Sequence, residues 1–212
     1  MFTGIITAVG TITQAIPLHK QADNSIGGRK LTIQTPHSYL DDVVPGDSIA
    51  LNGACMTVTS LDKGEQVFTV DISAESLSCT AGLNEANKRI NLEKAMQLQD
   101  RLGGHLVTGH VDGIGMVHRM NPVQESWLLE ILTPAQIARY LAYKGSVTVN
   151  GVSLTVNSVK DMEKGALISI NLIPHTVENT TLGDLKDGSA VNLEIDLVAR
   201  YIERMLTADK KL

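Results

Sequence analysis

At 212 residues, 43% of them hydrophobic, the chain is long enough to bury one large core or two small ones. A net charge of −5 argues against non-specific binding to nucleic acid or an anionic membrane, and no stretch has the apolar length of a transmembrane helix. Two cysteines, Cys55 and Cys79, are too few for a disulfide framework or a zinc knuckle, and the start lacks the basic region of a signal peptide, so a soluble cytoplasmic protein is expected.

Residues 2–12, rich in Thr, Ile and Val, read as β structure and lead into a polar loop with Asn24 and Gly27-Gly28. Residues 29–34 alternate as a strand and end at Thr35-Pro36, an N-cap followed by proline at the first helical position. The segment 36–44 is expected as a short helix or helical turn stopped by Pro45-Gly46. Residues 48–59 are two apolar runs around Asn52-Gly53, a pair suited to a type I′ hairpin turn because both positions take positive φ. A strand at 66–72, a turn-rich stretch at 75–88 and a short strand at 89–93 follow.

The same order then returns. Residues 31–60 align without a gap on 129–158, with ten identities in thirty positions that include Thr35-Pro36 on Thr133-Pro134 and Asn52-Gly53 on Asn150-Gly151. Thr3-Gly4 falls opposite Thr108-Gly109, and Asn91-Leu92-Glu93 opposite Asn192-Leu193-Glu194. In the second copy Pro134 to Lys144 predicts a better helix, with Ile137 and Leu141 on one face and Gly145 as its stop. The expected class is therefore all-β: a tandem duplication of two six-stranded Greek-key barrels, at residues 1–105 and 106–196, with a C-terminal α-helix at 197–212. That helix carries Leu197, Val198, Tyr201, Ile202, Met205 and Leu206 as an apolar stripe, with Lys210-Lys211 at its end; the stripe packs either on another subunit or on its own barrel.

Alternation in the second hairpin strand points Met56 and Val58 inward and Cys55, Thr57 and Thr59 outward, and likewise Leu154 and Val156 against Ser153, Thr155 and Asn157. A small polar face made twice is either a solvated surface or the floor of a cleft. His105 and His110 stand five apart, so on a strand they point to opposite faces and cannot share one metal ion; no Cys-x-x-Cys or His-Glu-x-x-His accompanies them, and no metal is expected. His110 is a candidate general base, Cys55 reads as a half-buried filler, Asp196 as a cap on the final helix, and Lys144 as a cation at a helix end.

Met-Phe-Thr-Gly-Ile at the start, Asn-Gly-Ala-Cys-Met-Thr-Val at 52–58, Gly-Gly-His-Leu-Val-Thr-Gly-His-Val-Asp-Gly at 103–113 and Asn-Gly-Val-Ser-Leu-Thr-Val at 150–156 together resemble riboflavin synthase of the α-subunit type. So do Ile173-Pro174-His175-Thr176, Thr180-Thr181-Leu182-Gly183 and the run Val-Asn-Leu-Glu-Ile-Asp that ends at Asp196. The resemblance spans essentially the whole chain. It implies a homotrimer built by the C-terminal helix, with lumazine synthase as a further partner. It also implies dismutation of two 6,7-dimethyl-8-ribityllumazine molecules, one giving a four-carbon unit to the other, to yield riboflavin and 5-amino-6-(ribitylamino)uracil without metal or redox cofactor. The implied substrate contacts in the first barrel are Gly4, Ile5, Ile6, Cys55, Met56, Thr57, Asp71, Ile72, Ser73, Ala74, Glu75 and Ser76. In the second they are Gly109, His110, Val111, Lys144, Ser153, Leu154, Thr155, Asn171, Leu172, Ile173, Pro174, His175 and Thr176.

For the chemistry, His110 is expected to move a proton at the lumazine C7-methyl. Ser153, positioned by Asp196, is expected to orient or activate the hydroxyl that adds to the other ring, and Ser48 and Cys55 to flank and tune the first pocket. The copies differ at Ile5 against His110, Cys55 against Ser153 and Glu75 against His175, which suits distinct donor and acceptor sites. Two other readings are a non-catalytic lumazine-binding antenna of luminescent bacteria and the flavin barrel of an oxidoreductase. The latter lacks its Arg-x-Tyr-Ser/Thr motif and a nicotinamide domain here.

Overall fold

The fold is described from a computed structural model, over residues 1–18 and 27–208. Asn24 of the expected polar loop and Lys210-Lys211 lie outside the described residues.

Six strands close the first barrel: β1 (Ala8–Pro17), β2 (Arg29–Gln34), β3 (Ser48–Leu51), β4 (Ala54–Asp62), β5 (Val67–Ile72) and β6 (Lys88–Lys94). Around the barrel they run β1-β2-β5-β4-β3-β6, every pair antiparallel, with β6 returning to β1. The second barrel uses β7 (Gly113–Val123), β8 (Ser126–Pro134), β9 (Ser146–Val149), β10 (Val152–Met162), β11 (Gly165–Leu172) and β12 (Ala190–Ile195) in the corresponding circular order β7-β8-β11-β10-β9-β12. Closure leaves neither sheet an open edge. Even the irregularities recur, as the register of β4 slips between Val58 and Ser60 and that of β10 between Val156 and Ser158.

Alternation fills each interior. Leu31, Ile33, Ile49, Val58, Phe68, Val70, Ile90 and Leu92 are fully enclosed in the first barrel, and Leu129, Ile131, Val147, Val156, Ile168, Ile170, Val191 and Leu193 in the second. Each such side chain contributes roughly 1.5–3 kcal/mol by leaving water, which makes the inward face of every strand the term that fixes register.

Of the two forms expected for 36–44, the turn is the one formed: residues 37–42 make i→i+3 bonds such as Tyr39 N–H to Pro36 O at 3.3 Å, because Ser38 adopts φ +65°, which no α-helix accepts. Two local expectations are corrected. The counterpart helix α2 shrinks to Ala135–Ala138; Ile137 and Leu141 are buried as the pattern required, but the chain turns away on i→i+3 bonds and reverses at Lys144, φ +61°. Conversely, the expected turn at 75–88 begins with a helix, α1 (Ala74–Cys79), which Ser73 caps by accepting the Ser76 N–H at 3.0 Å while Leu77 is buried. Its counterpart in the second copy is α3 (Pro174–Asn179).

The two Asn-Gly turns meet where the barrels face each other. Asn52 and Gly53 take φ +45° and +85°, Asn150 and Gly151 +48° and +80°. Asn91 Nδ2 donates to Asn150 O at 2.9 Å, and Asn192 Nδ2 returns the bond to Asn52 O at 3.0 Å. Phe2 and Val107 exchange backbone bonds at 2.8 and 3.1 Å, so the segment leading into each barrel pairs with its duplicate.

The last helix, α4 (Leu197–Ala208), is joined to the second barrel by Arg200 to Asp112 at 2.7 Å and Arg139 to Glu203 at 3.0 Å. Its stripe stays uncovered: Val198, Tyr201, Ile202, Met205 and Leu206 are each more than half exposed.

Candidate functional site

Each barrel's first strand is preceded by a short arm, and the arms cross. Residues 3–6 belong by sequence to the first copy, yet Gly4 O accepts the Ser153 N–H of β10 at 2.8 Å and Ile6 packs on the second core. Residues 108–111 do the reverse: Gly109 O accepts the Cys55 N–H of β4 at 2.8 Å, and Val111 packs on the first core. The grouping by copy is therefore corrected. Gly4, Ile5 and Ile6 sit with Ser153, and Gly109, His110 and Val111 sit with Cys55. Both crossings need glycine. Gly4 and Gly109 have φ +76° and +79°, and a Cβ on them would come within 2.5 Å of Ser153 Cβ and 2.6 Å of Cys55 Cβ.

The crossing of residues 108–111 builds a cavity of about 230 Å³. Ala54, Cys55 and Met56 of β4 form its floor, Glu75, Ser76, Cys79 and Thr80 of the α1 region one wall, and Gly109, His110 and Val111 the other. The His110 side chain is exposed there, and Cys55 is half-buried. Thr57 and Asp71 stay exposed on the outer faces of β4 and β5, while Ser73 spends its hydroxyl on the α1 cap, next to Ala74. Ile72 and Leu172 do not offer side chains to a ligand: both are 1% exposed and fill the barrel interiors. Ser48 is also elsewhere. It lines a separate groove of about 140 Å³ with Asp42, Val43, Asp47, Ile49, Lys94, Ala95 and Gln97, so it does not flank the Cys55 cavity.

Around Ser153 the arrangement differs. The segment Gly104-His105 lies over it, and His105 Nδ1 is 2.7 Å from Ser153 Oγ. Burial pushes the imidazole below its ordinary pKa, opposed by the Asp196 carboxylate nearby. The tautomer sets the direction of this bond: with its proton on Nε2, a neutral His105 accepts from the Ser153 hydroxyl, the geometry of a hydroxyl activated by a base. Asp196 does not bond Ser153. Its Oδ1 accepts the Val198 N–H at 2.9 Å and caps α4, while its charge acts on the His105 ring that bonds the serine.

On β10 and β11 Leu154 is half-buried and Thr155 exposed, and Asn171 Oδ1 accepts a bond from Ser126 Oγ at 2.8 Å. Ile173 and Pro174 open α3, where His175 is held by Asn179 and Thr176 N–H bonds Ile173 O at 3.0 Å. Lys144 Nζ donates to Asn157 Oδ1 at 3.3 Å on β10.

Three residues of consequence escaped the reading of motifs. The sequence offers His105 only as a metal ligand, and strand parity says nothing about which residue overlies Ser153. Glu93 and Glu194, 5% and 2% exposed, sit in duplicated Asn-Leu-Glu runs, and that repetition is the signal that finds them. Among the described residues no cluster of three His, Cys, Asp or Glu suits a metal ion, and no helix is long and apolar enough to cross a membrane.

Comparison with known proteins adds an independent line. The lumazine binding domain family matches residues 3–95 and again 108–196. The riboflavin synthase of Photobacterium phosphoreum is 44% identical over 211 residues, covering 99% of this chain and 91% of that one. That of Actinobacillus pleuropneumoniae is 42% identical over 207 residues, 97% and 90% of the two chains. Among solved structures, LumP complexed with riboflavin superposes with a TM-score of 0.79 at 26% identity over 92% of this chain and 99% of its own. LumP complexed with 6,7-dimethyl-8-(1'-D-ribityl) lumazine gives 0.76 at 25% over the same shares.

Proposed function

Because the chain belongs to the riboflavin synthase family of tandem lumazine-binding proteins, we propose that it converts two molecules of 6,7-dimethyl-8-ribityllumazine into riboflavin and 5-amino-6-(ribitylamino)uracil. The donor gives up the four carbons of its dimethylpyrazine edge and the acceptor's two methyl carbons close them into a new ring, so atoms balance without an oxidant. The observation that carries this reading is the cavity shared by Cys55 of one copy and His110 of the other, with the Ser153–His105 pair at the equivalent place in the opposite barrel. Two like substrates need two like sites, and chemically distinct sites suit donor and acceptor roles.

In this reading His110 removes a proton from the acidic C7-methyl of one lumazine, while Ser153, polarised by His105, orients the hydroxyl that adds at C7 of the other. Backbone N–H and C=O groups at Gly109–Val111, Gly4–Ile6 and the starts of α1 and α3 read the amide-like edge of the ring. Holding the rings together supplies much of the acceleration through effective concentration.

The exposed stripe of α4 supports a homotrimer in which the first barrel of one chain faces the second barrel of its neighbour. A cytoplasmic location, and a lumazine synthase as the supplier of substrate, complete the assignment.

The test is incubation with the lumazine, following riboflavin by its absorbance. Turnover by the wild type, lost in His110→Ala and reduced in Asp196→Ala, is expected; full turnover by both variants overturns the residue assignment. The likeness to LumP favours one second reading, a lumazine-binding protein without activity, and tight binding with no riboflavin formed would establish it.

A further inference from the structure

Taking the synthase reading as premise, we propose that Glu93 and Glu194 are positioning residues for the reaction, each holding from its own barrel the arm that lies against the hairpin strand of the other barrel, at Ser153 and at Cys55 respectively. Glu93 lies in β6. Its Oε1 accepts the Thr3 N–H and the Thr3 hydroxyl, both at 2.7 Å, and its Oε2 accepts the Gly4 N–H at 3.0 Å. Gly4 O in turn takes the Ser153 N–H. Glu194, in β12, repeats the pattern on Thr108 at 2.7 and 2.7 Å and on Gly109 at 3.0 Å, and Gly109 O takes the Cys55 N–H. Two hydrogen bonds thus link a buried carboxylate of one barrel to the active strand of the other.

The choice of carboxylate is informative. Burying a charge is costly, and a pair of well-packed apolar residues would hold the barrels together at least as well. Only an ionised carboxylate offers acceptors on both oxygens to three donors at once; an amide would turn an N–H against an N–H. Burial pushes both carboxyls above the ordinary glutamate range while the Thr and Gly donors pull them back, so the arm and the charge depend on each other. What the arrangement fixes is the path of the backbone through residues 3–6 and 108–111. His110 immediately follows Thr108 and Gly109, the two residues Glu194 holds.

The linkage makes a crossed prediction. Glu194, in the second barrel, serves the Cys55–His110 pocket, and Glu93, in the first, serves the Ser153–His105 site. The experiment is a set of double-mutant cycles on kcat/KM for lumazine turnover, combining Glu93→Gln and Glu194→Gln in turn with His110→Ala and Ser153→Ala. Each Gln variant should lose about tenfold on its own, the cost of leaving one buried donor without its acceptor. The Glu194→Gln loss should vanish in the His110→Ala background and multiply fully with Ser153→Ala; the Glu93→Gln loss should do the opposite.

Plain multiplication in all four combinations, or coupling within each barrel, overturns the proposal, because a purely structural carboxylate would lower activity equally in every background. Should the Gln variants fail to fold, Thr108→Val and Thr3→Val remove one bond from the same carboxylates and must give the same crossed pattern. A wild type that neither binds nor converts lumazine sinks the synthase reading and this proposal with it; an active wild type with an uncrossed pattern sinks the positioning role alone.

Discussion

Gly53 and Gly151 face each other across the approximate two-fold axis of the molecule, so that a Cβ on either would come within 2.8 Å of the other's amide nitrogen. The hairpin turn that sets register within each barrel is therefore also the contact between barrels. Gly53→Ala and Gly151→Ala each force a non-glycine residue into left-handed backbone, about 1–2 kcal/mol, and add a backbone clash that no rotamer relieves. We expect each to destabilise the protein by roughly 2–4 kcal/mol, read as a lowered denaturation midpoint. The two substitutions meet at one contact, so the double variant should lose less than the sum. Full additivity would show that the turns do not share this interface.

The pair of Ser153 and His105 makes a kinetic prediction. If the imidazole accepts the serine proton, Ser153→Ala and His105→Gln should each lower kcat by roughly 10²-fold, and the double variant should be no slower than the worse single one. Independent losses that multiply would separate the two residues.

His105 also carries a pH signature. Because burial lowers its pKa in the folded chain, the unfolded chain binds the proton first as pH drops below the ordinary histidine value of about 6.5. Stability should therefore fall with pH between that value and the lowered native one, and be unaffected by His105 above it. Glu93 and Glu194 act in the opposite sense. Their raised pKa values mean that the folded chain takes up protons first, so their contribution improves as pH falls through the raised values toward the ordinary glutamate one. Denaturant titrations across this range should show a smaller loss toward acid in His105→Gln than in the wild type. An unchanged slope would place the imidazole in solvent.

Much of this architecture is legible in the residues because it is local and repeated. Asn52-Gly53 and Asn150-Gly151 announce the hairpins, and the alternation of Met56 and Val58 with Cys55, Thr57 and Thr59 assigns inner and outer faces correctly. The short helices are not legible in the same way. Ser38 at positive φ ends one that Pro36 would start, and Ser73 caps another within a serine-rich run that reads as turn. Least legible is the exchange of arms. Nothing between residues 1 and 7 distinguishes an arm that lies on its own barrel from one that lies on the duplicate. The Phe2–Val107 pairing, the enclosed glutamates and the Gly4–Ser153 bond decide it together in three dimensions. The motifs single out the candidate residues, but only that exchange sets Gly4 to Ile6 beside Ser153 and Gly109 to Val111 beside Cys55.

The arm bearing His110 has a second tether, to the last helix. Asp112 Oδ2 accepts the Ile195 N–H at 2.8 Å, and its Oδ1 takes the Arg200 guanidinium at 2.7 Å. The Asp112 side chain is only 15% exposed but Arg200 is 43% exposed, so solvent screens the pair and its direct worth to stability is about 0.5–1 kcal/mol. Its effect on the reaction should be larger than that figure suggests, since Asp112 stands two residues beyond His110 and, in the proton-transfer role proposed for His110, a small displacement costs more than it does in a fold. Arg200→Ala is expected to lower kcat about three- to tenfold with a thermal midpoint shifted by only a few degrees, and Arg200→Lys, which keeps the charge without the planar fork, to fall between. Raising salt should slow the wild type toward the variant while leaving Arg200→Ala itself little changed. A variant with wild-type kcat at low salt would show that α4 is docked to the barrel without bearing on its pocket.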